Sequence, residues 1–206
     1  MKIVDPVLVN SPPNWKVCDD ALAKFVEPVK MGFTCGPGDL HRFRARYRVA
    51  KSFTGMQLET YSQTTVDGYS ALFRLFLTYS AFEQFMECCG LNLRGMLPAL
   101  APYDPAGCEA SVRAVNQHEQ FLDFVLQRLD GREHQEQFAA FLNKKPCNVL
   151  YLPAGIRHIF AHGILTPNAG AGFAQPAIEV CHVLVKFLVA VMDGEFTARL
   201  KANKFI

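Results

Sequence analysis

Residues 156 to 163 read Ile-Arg-His-Ile-Phe-Ala-His-Gly and set Arg157, His158 and His162 into an otherwise apolar stretch. A helix from about Leu152 to Ala161, with His162 in its last turn and Gly163 as its cap, puts His158 and His162 one turn apart, about 40° around the axis. Two imidazoles so placed can grip a metal ion. The rest of a metal site is missing: no Glu adjoins His158 as in zinc hydrolases, no Cys or Asp stands nearby at ligand spacing, and a third ligand has to come from His118 or His182. The spacing therefore predicts no metal and no other cofactor. Arg157 and His162 are five residues apart, about 140° around a helix, which is wrong for two groups serving one site. Either the long arginine stem bridges the gap where the helix ends, or the same residues of a second subunit complete the pair across a two-fold axis. A third reading makes all three the polar end of a core helix, with His162 favoured by the C-terminal dipole.

A chain of 206 residues with 50% hydrophobic and 19% charged content can bury a substantial core and suits one domain. A net charge of +2 excludes nucleic-acid binding through bulk charge, so any such contact depends on a local basic patch. Seven cysteines, without framework spacing and including the adjacent Cys88 and Cys89, suit a reducing compartment and read as small buried apolar residues. The opening residues lack the apolar region of a signal peptide, and the most apolar stretch, Ala177 to Met192, is cut by Glu179, His182 and Lys186. A cytoplasmic protein that spans no membrane is expected.

The elements that must position the histidines follow from periodicity. Pro6, Pro12 and Pro13 keep the start extended, a short amphipathic helix runs from Lys16 to Val29, and the turn-forming 35–39 segment ends on Asp39, an N-cap candidate. Residues 41 to 51 are ambiguous. As a strand they align Arg42, Arg44, Arg46 and Arg48 on one face, a basic patch for phosphates; as a helix they make a stripe of Leu40, Phe43, Tyr47 and Ala50 and scatter the arginines. From Thr65 to Gly90 a long helix carries Tyr69, Leu72, Phe73, Phe76, Tyr79 and Ser80 on one face, with Glu83 on its continuation. A carboxylate on an apolar stripe calls for an arginine or hydrogen-bond donor opposite, unless the stripe has reached solvent by then. A helix from about Glu109 to Leu129 puts His118 on an apolar face with Val115, Leu122, Val125 and Leu129, and another from about Glu133 to Asn143 turns Phe138, Phe141 and Leu142 inward. After the glycine- and proline-bearing loop at 164–176, Pro176 opens a final amphipathic helix. The expected class is all-α, an antiparallel helical bundle over residues 61–206 with an N-terminal extension, residues 1–60, packed on it.

Arg157, a polar residue, three more residues, then His162 and Gly163 closing the helix together resemble the Arg-X4-6-His motif of the HEPN superfamily (higher eukaryotes and prokaryotes nucleotide-binding). The context is similar: the motif lies late in a helical chain, one long amphipathic helix follows, and a long helix with Tyr-Ser-Ala-Phe-Glu-Gln-Phe at 79 to 85 precedes it. The resemblance extends over roughly residues 65 to 205. It implies a metal-independent endoribonuclease acting as a homodimer with two motif helices at a cleft, in the manner of toxins and antiviral defence effectors, some beside a nucleotidyltransferase-type antitoxin. The residue types suit that chemistry. Attack by the RNA 2′-hydroxyl needs a base, an acid for the leaving 5′-oxygen and a cation for charge on phosphorus, and leaves a 2′,3′-cyclic phosphate. His162 serves as acid or base, Arg157 as phosphate clamp, His158 in support, and Glu83 to fix Arg157. The Arg42 to Arg48 segment is a candidate RNA surface. Domains of this superfamily also occur as noncatalytic binders of nucleotides or nucleic acids, which is the alternative reading.

Overall fold

The computed structural model describes residues 10–116, 120–167 and 174–206, and the described residues form helices and turns without a strand. The α-helices are α1 (Trp15–Ala23), α2 (Pro37–Ser52), α3 (Gln63–Cys89), α4 (Leu93–Met96), α5 (Pro105–Val115), α6 (Gln120–Leu126), α7 (Arg132–Leu142), α8 (Tyr151–Ala161) and α9 (Ala174–Ala202), with 3-10 turns at Pro28–Met31 and Leu97–Tyr103. None is long and apolar enough to cross a membrane.

The centre of the molecule is α3, which packs against α2, α8 and α9. Its ends are set locally. The Ser62 hydroxyl accepts from the Thr65 amide at 3.3 Å, and Gly90 ends the helix at φ 67° with Leu91 N–H donating to the Met86 carbonyl. Only glycine suits that end, because a Cβ at Gly90 would stand 2.8 Å from the Thr34 hydroxyl as well as in a left-handed conformation. The stripe expected on α3 is one of two faces. Leu75, Phe82 and Phe85 turn into the main core, while Phe73, Phe76, Tyr79 and Glu83 meet α8. A helix with neighbours on three sides is apolar nearly all round, so a single stripe understates its burial.

Several sequence expectations are corrected. The first helix stops at Ala23 rather than Val29: Pro28 biases Glu27 to extended backbone (ψ 143°), and Phe25 sits at φ 59° between them. Asp39 is not the N-cap of α2. Gly36 holds that place with Pro37 next, and Asp39 lies in the first turn, paired with Arg42 at 3.2 Å. Residues 41 to 51 are helical, with Leu40, Phe43, Tyr47 and Ala50 buried, so the four arginines do not share one surface. The helix expected over 109–129 is two helices. Asp104 caps α5 early, its carboxylate accepting from Gly107 N–H at 2.9 Å, and Asn116 leaves helical backbone (ψ 55°). His118 lies outside the described residues, as does most of the loop before α9, which starts at Ala174 rather than Pro176.

The N-terminal segment shares the core of the bundle. Phe196 of α9 lies 5.9 Å from Trp15, 5.3 Å from Phe33 and 6.0 Å from Phe43, centroid to centroid, inside one continuous cluster that runs from Trp15 to Leu200.

Candidate functional site

Helix α8 begins where Asn148 turns the chain inward. Its amide side chain accepts from the Leu150 N–H at 3.1 Å and donates to the Leu93 carbonyl at 2.9 Å. Pro153 falls within the first turn, where its missing N–H costs little. The apolar residues from Tyr151 to Ile156, with Ile159, are buried, so α8 is anchored along its length and only its last turn leaves the core. There the His162 amide donates to the His158 carbonyl at 3.2 Å, and Gly163 takes φ 71°.

The partner expected opposite Glu83 is Arg157. Its Nη2 donates to Glu83 Oε2 at 3.1 Å, with the two side chains 32% and 35% exposed, so the pair is half-sheltered rather than either buried or fully solvated. The guanidinium also lies 5.8 Å from the Phe76 ring and 6.0 Å from Tyr79, at the limit of cation–π attraction, and its buried Nε has no hydrogen-bond partner among the described residues. Arg46 reaches the same place from α2 and donates to the Ser80 carbonyl at 3.4 Å. Burial pushes the Glu83 carboxyl above the ordinary range, while Arg157 and then Arg46 pull it back. Burial also raises the Tyr79 phenol, and Glu83 adds to that rise. Arg157 and Glu83 are thus held half-desolvated with the exposed Arg46 beside them, where an incoming phosphate could displace the carboxylate from one side of the guanidinium fork.

These groups border an open cavity of about 510 Å3 whose lining includes Arg46, Glu83, Arg157, His158 and His134. The imidazoles of His158 and His162 meet edge to face at 4.6 Å, as their spacing predicts. His162 itself is exposed and is not among the described residues lining the cavity. The structure therefore brings together Arg157, Glu83 and His158, and seats His162 against His158 on the outer side. Of the four candidate RNA-binding arginines, Arg46 alone is among the described lining residues of this cavity. Arg42 pairs with Asp39, and Arg44 lies 4.9 Å over the Trp15 ring while donating to the Ser11 hydroxyl at 3.2 Å. Among the described residues no group of three His, Cys, Asp or Glu is placed to hold a metal ion, and His182 lines a different cavity.

His134 is the residue the sequence reading missed. It stands in the polar first turn of α7, where a histidine among Arg, Glu and Gln reads as a solvated face, and only the packing of α7 on α8 turns it toward His158. Its ring meets Tyr151 at 5.1 Å, and the Tyr151 hydroxyl donates to Glu133, which also pairs with Arg94. Burial first, then the neighbouring His158, hold the His134 pKa below the usual imidazole value, against a smaller opposing pull from Glu133. A histidine of this kind takes up a proton less readily folded than unfolded. Stability tied to it is present above the unfolded value of about 6.5 and is lost as the pH falls through it. Histidine-resolved NMR titration is expected to find His134 titrating below that value and moving part of the way back in His158→Gln; a normal titration of His134 in the wild type excludes the coupling.

Comparison of the chain with protein-family models, with curated proteins and with solved structures finds no match.

Proposed function

We propose that this protein is a metal-independent RNA endonuclease of the HEPN type, acting as a homodimer. The observation that carries the reading is the pairing of Arg157 with Glu83 at 3.1 Å beside the contacting imidazoles of His158 and His162, at the mouth of an open cavity. Arg157 clamps the scissile phosphate, its stem already oriented by Glu83 and its fork matched to two phosphate oxygens. Arg46 adds a second positive charge at the same cavity. His162 exchanges the proton of the attacking 2′-hydroxyl or of the leaving 5′-oxygen, and His158 holds the ring in place. The exposed position of His162, outside the cavity of its own chain, favours a composite site in which each protomer presents His162 to the Arg157 of its partner. Control by an antitoxin is part of the same proposal.

The two cations at the open cavity also favour one other reading, a binder of nucleotides or nucleic acid that grips phosphate with Arg157 and Arg46 and cuts nothing. Incubation of the purified protein with total RNA in excess EDTA, followed by analysis of the new ends, separates the two. The nuclease leaves 2′,3′-cyclic phosphate and 5′-hydroxyl ends in the presence of chelator. Intact RNA in that assay, together with a retained mobility shift, rejects the nuclease in favour of the binder.

A further inference from the structure

A second cavity, of about 500 Å3, is bordered by the first half of α3, the start of α9 and the loop at 53–56. Its α3 wall carries Asp67, Ser70 and Arg74 at helical spacing on one face, its α9 wall carries Ile178 and His182, and Phe53 contributes from the loop. The loop is tied down by the Met56 amide, which donates to Ser70 Oγ at 3.0 Å; the hydroxyl that accepts there keeps its own proton to donate.

Arg74 is the cation at this cavity. Among the described residues its buried Nε has no hydrogen-bond partner and it forms no ion pair. Asp67, two turns earlier on the same face, accepts from Gln63 Nε2 at 2.8 Å. A half-buried guanidinium left in this state is costly, and two oxygens of a phosphate or carboxylate match its fork. The size of the cavity falls in the range of small-molecule sites, and Phe53 and Ile178 supply the apolar wall such sites use.

We propose that this cavity binds a small organic anion, with a phosphate or carboxylate on Arg74, Ser70 and His182 and an apolar ring or chain against Phe53 and Ile178. Asp67 at the same cavity offsets part of the Arg74 charge, so the site has cationic charge for one anionic group and not for the several phosphates of a nucleic-acid backbone. The inference is independent of the nuclease reading, since it uses other residues and a different cavity.

The test is a protein-observed NMR titration of the full chain with phenyl phosphate, benzoate, inorganic phosphate and phenol. Phenyl phosphate or benzoate is expected to give saturable shifts at residues 53–56, 70, 74, 178 and 182. Inorganic phosphate and phenol, each lacking half of the recognition, are expected to bind at least about tenfold more weakly. Arg74→Met is expected to weaken the better anion by about tenfold or more. Should that variant not fold, Ile178→Trp, which blocks the apolar wall, is expected to give a comparable loss. Shifts confined to residues around Arg157, or equal binding by a folded Arg74→Met or Ile178→Trp protein, overturn the proposal. The preference between phenyl phosphate and benzoate identifies which oxyanion the site takes.

Discussion

His162→Ala is expected to lower RNA cleavage by about 10²–10⁴-fold, the usual worth of a positioned acid or base, while leaving the fold intact. The side chain is exposed at the C-terminal cap of α8, where its ring meets that of His158, so truncation leaves no cavity in the core. Arg157→Ala is expected to lose about 10²–10³-fold, as removal of a group that stabilises transition-state charge does. It also leaves Glu83 without its partner at 3.1 Å, so its melting temperature must be measured beside its activity. Arg157→Lys sharpens the test, because lysine keeps the charge and loses the fork. If both alanine variants are folded and cut RNA at the wild-type rate, residues 157 to 162 are a helix end and nothing more. Mixing the two inactive variants tests the dimer as well. A composite site with Arg157 from one protomer and His162 from the other is restored in the mixed dimer, and activity should return, whereas two self-contained sites stay dead in any mixture.

The largest expected loss of stability comes from Phe196→Ala, about 3–5 kcal/mol in equilibrium denaturant unfolding. Phe196 has no measurable exposure, and its ring touches Trp15, Phe33 and Phe43, which come from three separate stretches of the first sixty residues. Truncation removes those ring contacts together and leaves a hole where α1, α2 and α9 converge. Since Trp15 and Leu200 belong to one buried cluster, unfolding of the wild type is expected to be a single transition seen alike by tryptophan fluorescence and far-ultraviolet circular dichroism. Two transitions, with the tryptophan signal lost first, would mark the N-terminal segment as an independently melting unit. A change below about 1 kcal/mol in Phe196→Ala would mean that the site collapses around the smaller side chain.

Much of the architecture was legible because helical periodicity is a local property. At 41 to 51 the stripe of Leu40, Phe43, Tyr47 and Ala50 was one of two readings, and the structure takes it, burying all four. Gly90 and Gly163 end their helices with the positive φ expected of glycine there. Errors fell where short-range signals compete. Proline at residue 28 ended one helix early, and a cap at Asp104 started another before the glutamate chosen from pattern alone.

At the candidate site, the sequence by itself determined which chemistry was on offer. The spacing of His158 and His162 put their rings within reach, and a carboxylate on an apolar stripe required a cation for Glu83. Periodicity alone could not name that cation; the resemblance pointed to Arg157, and the two residues, 74 apart, meet only because α8 docks on α3. Nor could it find His134, whose neighbours along the chain are all polar, or the state of Arg74, whose buried Nε has no hydrogen-bond partner among the described residues. Periodicity and residue chemistry are written in consecutive residues, whereas desolvation and pairing depend on which helix faces meet, and those were decided by the packing of α3 against its neighbours.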